Sequence, residues 1–81
     1  MNIRILCFAS TQDATGSREL TIEVPAGGRV VDCLDALRNA YPAVGPLLDR
    51  CRIALNDEFA AGDAPVGEGD TVALLPPMSG G

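Results

Sequence analysis

Hydrophobic and polar residues alternate at the start of the chain. This pattern leads into a short apolar run, and residues 3–8 predict a first β-strand. The polar segment at residues 10–17 is rich in turn formers and predicts a loop. Residues 20–24 alternate again, which predicts a second strand and a hairpin with the first. A Pro-Ala-Gly-Gly segment at residues 25–28 ends this strand.

The period changes after Arg29. Apolar side chains now fall at helical spacing, at Val30, Leu34, Leu37 and Tyr41. This spacing predicts the main helix, and Pro42 prevents its continuation. Asp32 lies in the first turn, where a negative charge suits the helix dipole. Arg29 is a poor N-cap residue.

The rest of the chain predicts three further strands. We expect a helical turn at residues 46–49, a strand at 52–56, a turn at 57–58 and a brief strand at 59–60. A glycine-rich loop leads to the last strand, residues 71–75, which Pro76 and Pro77 end. This order predicts an α+β, β-grasp (ubiquitin-like) fold, a mixed sheet of about five strands with one main helix on one face. We expect residues 1–75 to form this domain and residues 76–81 to form a flexible tail.

The first and last predicted strands are apolar on both faces, although one helix covers only one face of a sheet. One explanation is a buried central pair of parallel strands, in which both faces are commonly apolar. The other is an exposed apolar patch around Phe8, Phe59 and Leu75 that a partner subunit covers. Both explanations remain open at this point.

Composition excludes most self-contained active sites. The chain has no histidine, and all six of its basic residues are arginine, so it lacks both an imidazole and a lysine amine. A net charge of -5 argues against nucleic acid or an anionic membrane as partner. No segment is apolar enough to span a bilayer, and the first residues do not resemble a signal peptide, so we expect a cytoplasmic protein.

The three cysteines predict no special chemistry. Cys7, Cys33 and Cys51 are widely spaced and form no CxxC pair, which argues against a disulfide framework or a zinc site. We interpret them as small, buried apolar residues, and we expect no metal site.

The last six residues are the most informative. Proline at positions 76 and 77 ends strand pairing and stiffens the exit from the sheet. The four residues after Pro77 extend over about 13 Å at ~3.3 Å per residue. Because Gly80 and Gly81 have no side chains, they fit a channel too narrow for other residues. The alternative is a frayed terminus that ends in two glycines by chance.

Residues 67–81 closely resemble the end of molybdopterin synthase small subunits, which are ubiquitin-like sulfur carriers. The first strand, the helix that begins at Val30 and residues 53–56 resemble the same family more weakly. The chain departs from the family at residues 10–13, where an Arg-Glu pair is common. It also departs at Leu74 and Leu75, where aromatic residues are common, and at Arg29, where threonine is common.

The resemblance implies a sulfur-transfer cycle centred on the Gly81 carboxylate. In this cycle a ubiquitin-activating-type adenylating enzyme joins the carboxylate to AMP, using ATP, and the chain itself binds no cofactor. A sulfur donor, such as a cysteine desulfurase or a rhodanese-like protein, then converts it to a thiocarboxylate. The tail then enters a tunnel in the large synthase subunit. Gly80, which has no side chain, lies next to Gly81 in this tunnel, and Met78 and Ser79 contact the tunnel wall. The chain would then be a sulfur-donating subunit without catalytic activity of its own.

Three other functions share this fold. A sulfur carrier for thiamine or another sulfur-containing metabolite would use the same tail with a different partner. A ubiquitin-like protein modifier would join its Gly-Gly end to other proteins through isopeptide bonds. A β-grasp interaction module would bind partners without any reaction at its C-terminal carboxylate.

Overall fold

Five strands form one mixed sheet in the computed structural model, which describes residues 1–77. The strands are β1 (Asn2–Cys7), β2 (Glu19–Glu23), β3 (Arg52–Leu55), β4 (Glu58–Phe59) and β5 (Thr71–Leu75). Their order across the sheet is β2-β1-β5-β3-β4. The central pair, β1 and β5, is parallel, and the other neighbours are antiparallel.

Helical segments connect the strands. They are α1 (Ser10–Thr15), α2 (Val30–Ala40), a 3-10 turn (Pro42–Val44) and α3 (Gly45–Leu48). The main helix, α2, contributes Val30, Cys33 and Leu37 to the core, while Leu34 and Tyr41 are half-buried beside it. The predicted mixed sheet with one main helix is therefore confirmed.

The core lies between the sheet and α2. Alternate residues of the central strands point into it and are completely buried, as Ile5 and Val72 show. These two residues are opposite each other in the β1–β5 register. Complete burial of a side chain of this size contributes about 1.5–3 kcal/mol to folding, so this inner face accounts for much of the stability.

The prediction of a loop at residues 10–17 is wrong, because the helix α1 occupies most of this segment. Turn-forming side chains usually compete with helix formation, but here the Thr11 hydroxyl bonds to the backbone of Phe8 and is fully buried. Ala14 packs against the core. Gly16 ends the helix in the left-handed conformation, at φ 78°, and donates its N–H to the Gln12 carbonyl at 2.8 Å.

The remaining element boundaries differ from prediction by small shifts. The third strand ends at Leu55 rather than at Asn56, because Asn56 and Asp57 have φ values of 49° and 71°. Positive φ at both central residues is the requirement of a type I′ turn, so these residues form the tight β3–β4 hairpin. The brief fourth strand is consequently Glu58–Phe59 and not residues 59–60.

The start of α2 is capped by Asp32 and not by its N-cap side chain. The Arg29 N–H donates to Asp32 Oδ2 at 2.8 Å, which is one half of a capping box. Arg29 is thus the poor N-cap predicted from sequence, and the carboxylate three residues later satisfies the exposed N–H.

We expect the stability of the protein to fall in alkaline solution because of Cys33. Burial, assisted by the charge of Asp32, raises the pKa of the Cys33 thiol from 9.0 to about 11. The thiol therefore loses its proton at a lower pH in the unfolded chain than in the folded chain. Its contribution to the free energy of unfolding is complete below pH 9 and is lost as the pH rises toward 11. The expected loss is on the order of 1 kcal/mol at pH 10. Urea unfolding at pH 8 and pH 10 measures it.

A Cys33→Ala variant is the control for this prediction. It lacks the thiol, so its unfolding free energy should fall less between the two pH values, even though it starts from a lower stability. Equal pH dependence in the two proteins would show that Cys33 is not the titrating group.

Candidate functional site

The tail leaves the sheet from its centre. The last strand, β5, ends at Leu75 with β1 on one side and β3 on the other, and Pro76 and Pro77 follow without regular structure. The predicted tail contacts Met78, Ser79, Gly80 and Gly81 lie outside the described residues. The exit point is nevertheless defined, because Leu75 is opposite Arg52 of β3 in the strand register.

The side of the sheet away from the core carries a band of apolar residues with one arginine, which we call the outer face. Its members are Leu6, Phe8, Arg52, Ala54, Phe59, Ala73 and Leu75. None of these residues belongs to the core cluster of residues 1–77. Phe8 is 43% exposed and Phe59 is 62% exposed, whereas Leu6, Ala73 and Leu75 are half-buried. The central pair of parallel strands is therefore present, and its outer face is only partly covered; that a partner subunit covers it stays a prediction.

Strand register aligns the outer face with the tail exit. One row crosses four strands, with Leu6 beside Ala73, Ala73 beside Ala54 and Ala54 beside Phe59. A second row lies closer to the tail and pairs Leu75 with Arg52. Phe8 follows Leu6 by two residues, so strand alternation places it on the same face beyond β1. The structure thus brings the predicted docking residues Phe8, Phe59 and Leu75 to one surface, and their docking role stays a prediction.

Arg52 is a member of this surface that the sequence did not identify. Its guanidinium carbon lies 3.9 Å from the centre of the Phe59 ring, a cation–π contact. A groove of about 460 Å³ opens beside the pair, lined by Cys51, Arg52, Ile53, Phe59, Ala60 and Ala61. Arginine and aromatic side chains are the residues that most often dominate binding energy at interfaces, so this end of the outer face is suited to contact another protein.

Phe8 is held by local hydrogen bonds that the sequence analysis also missed. Its N–H donates to Thr11 Oγ1 at 2.8 Å, and that hydroxyl donates to the Phe8 carbonyl at 2.7 Å. Ala9, the next residue, has a φ of 50° and a ψ of -121°, a conformation that residues with a side chain rarely adopt. The available sequence signal was a threonine in the polar segment after the first strand, because threonine hydroxyls bond to nearby backbone groups.

The three cysteines are free thiols in buried or half-buried positions. Cys7 and Cys33 are buried, as predicted, while Cys51 is half-buried, and all three are free thiols. Burial raises the pKa of the Cys51 thiol, with a smaller effect from Cys7. A thiol with a raised pKa is a poor nucleophile at neutral pH. Within residues 1–77, no group of three or more potential metal ligands is present.

The helices of the described chain are also unsuited to a bilayer. None of those in residues 1–77 has the length and apolar character needed to cross a membrane.

Comparison with known proteins identifies the family. The sequence profile of the ThiS family matches residues 5–81, a span that includes the Gly-Gly end. The chain belongs to the ThiS family. It is 35% identical over 81 residues to the molybdopterin synthase sulfur carrier subunit of Arabidopsis thaliana, covering all of this chain and 84% of that protein. The resemblance found in the sequence is therefore confirmed.

Solved structures of ThiS-family relatives agree with the fold. The crystal structure of small archaeal modifier protein 1 from Haloferax volcanii has a TM-score of 0.92 at 32% identity, with complete coverage of both chains. A protein–protein complex of subunits 1 and 2 of the molybdopterin-converting factor from Helicobacter pylori has a TM-score of 0.71 at 26% identity, also with complete coverage. The relatives of this ThiS-family chain thus include both sulfur carriers and a protein modifier.

We expect truncation of a side chain to alanine to change the free energy of unfolding by different amounts on the two faces of the sheet. Phe59→Ala removes an exposed ring and should change the unfolding free energy by no more than about 1 kcal/mol. Leu74→Ala empties a fully buried inner position and should cost about 2–5 kcal/mol. Denaturant unfolding of the two variants measures the difference. A Phe59→Ala cost equal to that of Leu74→Ala would mean that the outer face serves folding rather than contact with a partner.

Proposed function

We propose that this protein is the sulfur-carrier subunit of a molybdopterin synthase and that its Gly81 carboxylate carries the sulfur. The observation that supports this most strongly is the Pro-Pro-Met-Ser-Gly-Gly end, which follows directly from the central strand of a ThiS-family fold. Relatives that bear the name of this subunit match the chain along its whole length.

The chemistry of the tail follows from the properties of a carboxylate. A carboxylate is a poor electrophile until it has a good leaving group, so a ubiquitin-activating-type enzyme first joins Gly81 to AMP and releases pyrophosphate from ATP. The terminal sulfur of a persulfide donor, such as a cysteine desulfurase or rhodanese-like protein, then displaces AMP and forms an acyl disulfide. A second thiol cleaves the S–S bond of this intermediate, which leaves a thiocarboxylate on Gly81 and a disulfide on the donor. The thiocarboxylate sulfur is ionised and nucleophilic at neutral pH, and it attacks a cyclic pyranopterin phosphate. Hydrolysis returns the carboxylate once sulfur has been transferred.

Acid–base and phosphate-binding groups come from the partner in this proposal. The chain has no histidine or lysine, so it cannot readily supply a neutral-pH base or an ammonium for phosphate. The large subunit of molybdopterin synthase supplies these groups around the inserted tail. Gly80 passes through the narrowest part of the tunnel, and Met78 and Ser79 contact its wall. The small subunit is then a carrier that has no catalytic activity alone.

The outer face is the docking surface in this proposal. It lies beside the tail exit, so a partner that covers Leu75 is also positioned to receive the tail. Phe8 and Phe59 are the two most exposed rings on this face and would provide the largest apolar contacts. Arg52, stacked on Phe59, pairs with a carboxylate of the partner at the edge of the contact.

Deletion of Gly80 and Gly81 is the direct test of the tail. The truncated protein should fold with unchanged stability, because the inner core lies within residues 1–77, but sulfur transfer to the pterin should be abolished. Intact mass spectrometry of the full chain from its own host should show a shift of about +16 Da, as oxygen is exchanged for sulfur. Sulfur transfer by the truncated chain, or no thiocarboxylate in the presence of its activating enzyme, would refute the proposal.

Alanine substitutions at Phe8, Phe59 and Leu75 test docking. Each should weaken binding to the large subunit by about 1–3 kcal/mol if it is an interface anchor, as measured by titration calorimetry. Val31→Ala is the matched control, since Val31 is exposed to the same 43% as Phe8 but lies on α2. Equal effects at Val31 and at the outer face would remove the outer face from the proposal without affecting the tail chemistry.

Protein modification is the second candidate, favoured by the similarity to small archaeal modifier protein 1. The same acyl adenylate would then be attacked by a lysine amine of a target protein. Affinity purification of an N-terminally tagged chain from its host distinguishes the two functions, because a modifier yields covalent conjugates in which Gly81 is joined to target lysines. Trypsin would leave residues 53–81 on such a lysine, since Arg52 is the last basic residue. A sulfur carrier for thiamine would instead be recognised by the identity of its synthase partner.

A further inference from the structure

Phe8 lies just beyond the part of β1 that the sheet restrains. The last register pair between β1 and β5 is Cys7 with Leu74, so Phe8 has no ladder partner on that side. A backbone segment at the end of a strand is normally free to change direction. An aromatic side chain in such a segment loses conformational freedom when a partner binds, and this loss weakens binding.

Thr11 supplies the missing restraint. Its side chain is fully buried, and one hydroxyl both accepts from the Phe8 N–H and donates to the Phe8 carbonyl, at 2.8 and 2.7 Å. The Thr11 backbone N–H donates to the same carbonyl at 3.0 Å. Three hydrogen bonds from one residue therefore fix both polar groups of the Phe8 backbone.

The backbone conformation of Ala9 also indicates that surrounding contacts determine the direction of the chain after Phe8. A φ of 50° is unfavourable for alanine, and such a conformation persists only where neighbouring contacts determine it. Two residues of α1 provide these contacts, since Thr11 bonds to Phe8 and the Asp13 N–H donates to the Ala9 carbonyl at 3.2 Å. The chain therefore turns sharply after Phe8 while the ring stays 43% exposed.

We propose that Thr11 is a positioning residue for partner binding, because its buried hydroxyl fixes the Phe8 backbone and so presents the Phe8 ring on the outer face in the orientation that a partner contacts. This inference rests on the proposed docking role of the outer face. It assigns to α1 the function of presenting one aromatic anchor beside the tail exit.

The test is a double-mutant cycle between Thr11 and Phe8, measured as affinity for the molybdopterin synthase large subunit of the same host. Thr11→Val keeps the shape of the side chain but removes the hydroxyl, and it should weaken binding about three- to tenfold. Thr11→Ser keeps the hydroxyl and should restore most of the affinity. In the Phe8→Ala background, Thr11→Val should have no further effect, because its contribution acts through the ring.

Thr15→Val is the matched control. Thr15 lies in the same helix, and its hydroxyl donates to the Thr11 and Ser17 carbonyls at 3.0 and 3.1 Å but makes no hydrogen bond to Phe8. This variant should lower the melting temperature, as Thr11→Val does, yet bind the large subunit within about twofold of wild type. If Thr11→Val does not fold, Thr11→Cys, which has a weaker donor, takes its place in the cycle.

The outcomes separate this inference from the proposed function. Wild-type affinity for Thr11→Val together with weak binding of Phe8→Ala would overturn the positioning role and leave docking intact. Additive losses in the double variant would also overturn it, since Thr11 would then act elsewhere. Wild-type affinity for Phe8→Ala would overturn both the docking role of Phe8 and this inference, whereas sulfur transfer by the Gly80–Gly81 tail would be unaffected.

Discussion

The parallel pairing of β1 with β5 is the constraint on which the rest of the molecule depends. It joins the two ends of the chain at the centre of the sheet, with Ile5 beside Val72 and Cys7 beside Leu74. A strand bonded on both edges is among the last elements to open in local unfolding. The tail therefore begins from one of the most stable parts of the fold. Binding of the tail by a partner, as proposed, would therefore not disturb the core.

The same two strands separate stability from recognition. Side chains alternate between faces, so each central strand places one set of residues in the core and another on the outer face. Ile3 and Leu74 are fully buried on the inner side, while Leu6 and Leu75 remain half-buried on the other. Because the two sets share a backbone but not an environment, the outer face can change its partner contacts at little cost to folding.

Regular patterns made most of the fold predictable from sequence. Period-two alternation indicated β2 and helical spacing from Val30 indicated α2, because both patterns reflect burial on one face. Short apolar runs that end at turn-forming residues indicated β1 and β5. The α1 helix was missed since Ser10–Thr15 has weak helical propensity, and its stability comes from a tertiary arrangement in which Thr11 bonds to Phe8. The contact between Arg52 and Phe59 was equally hidden, because it depends on the hairpin register set by the turn at Asn56.

Both proposed functions, sulfur transfer and protein modification, would use an activated Gly-Gly end, so the tail alone would not determine the product. The acyl group meets whichever nucleophile the bound partner presents, a persulfide in one case and a lysine amine in the other. Selection must therefore occur at a surface that is in place before the tail reacts. In this chain the surface beside the tail exit combines two exposed rings with one arginine, on a protein whose net charge is -5. In the proposed docking mode, specificity would depend on the fit of a partner to the orientation of Phe8 and to the cation at Arg52.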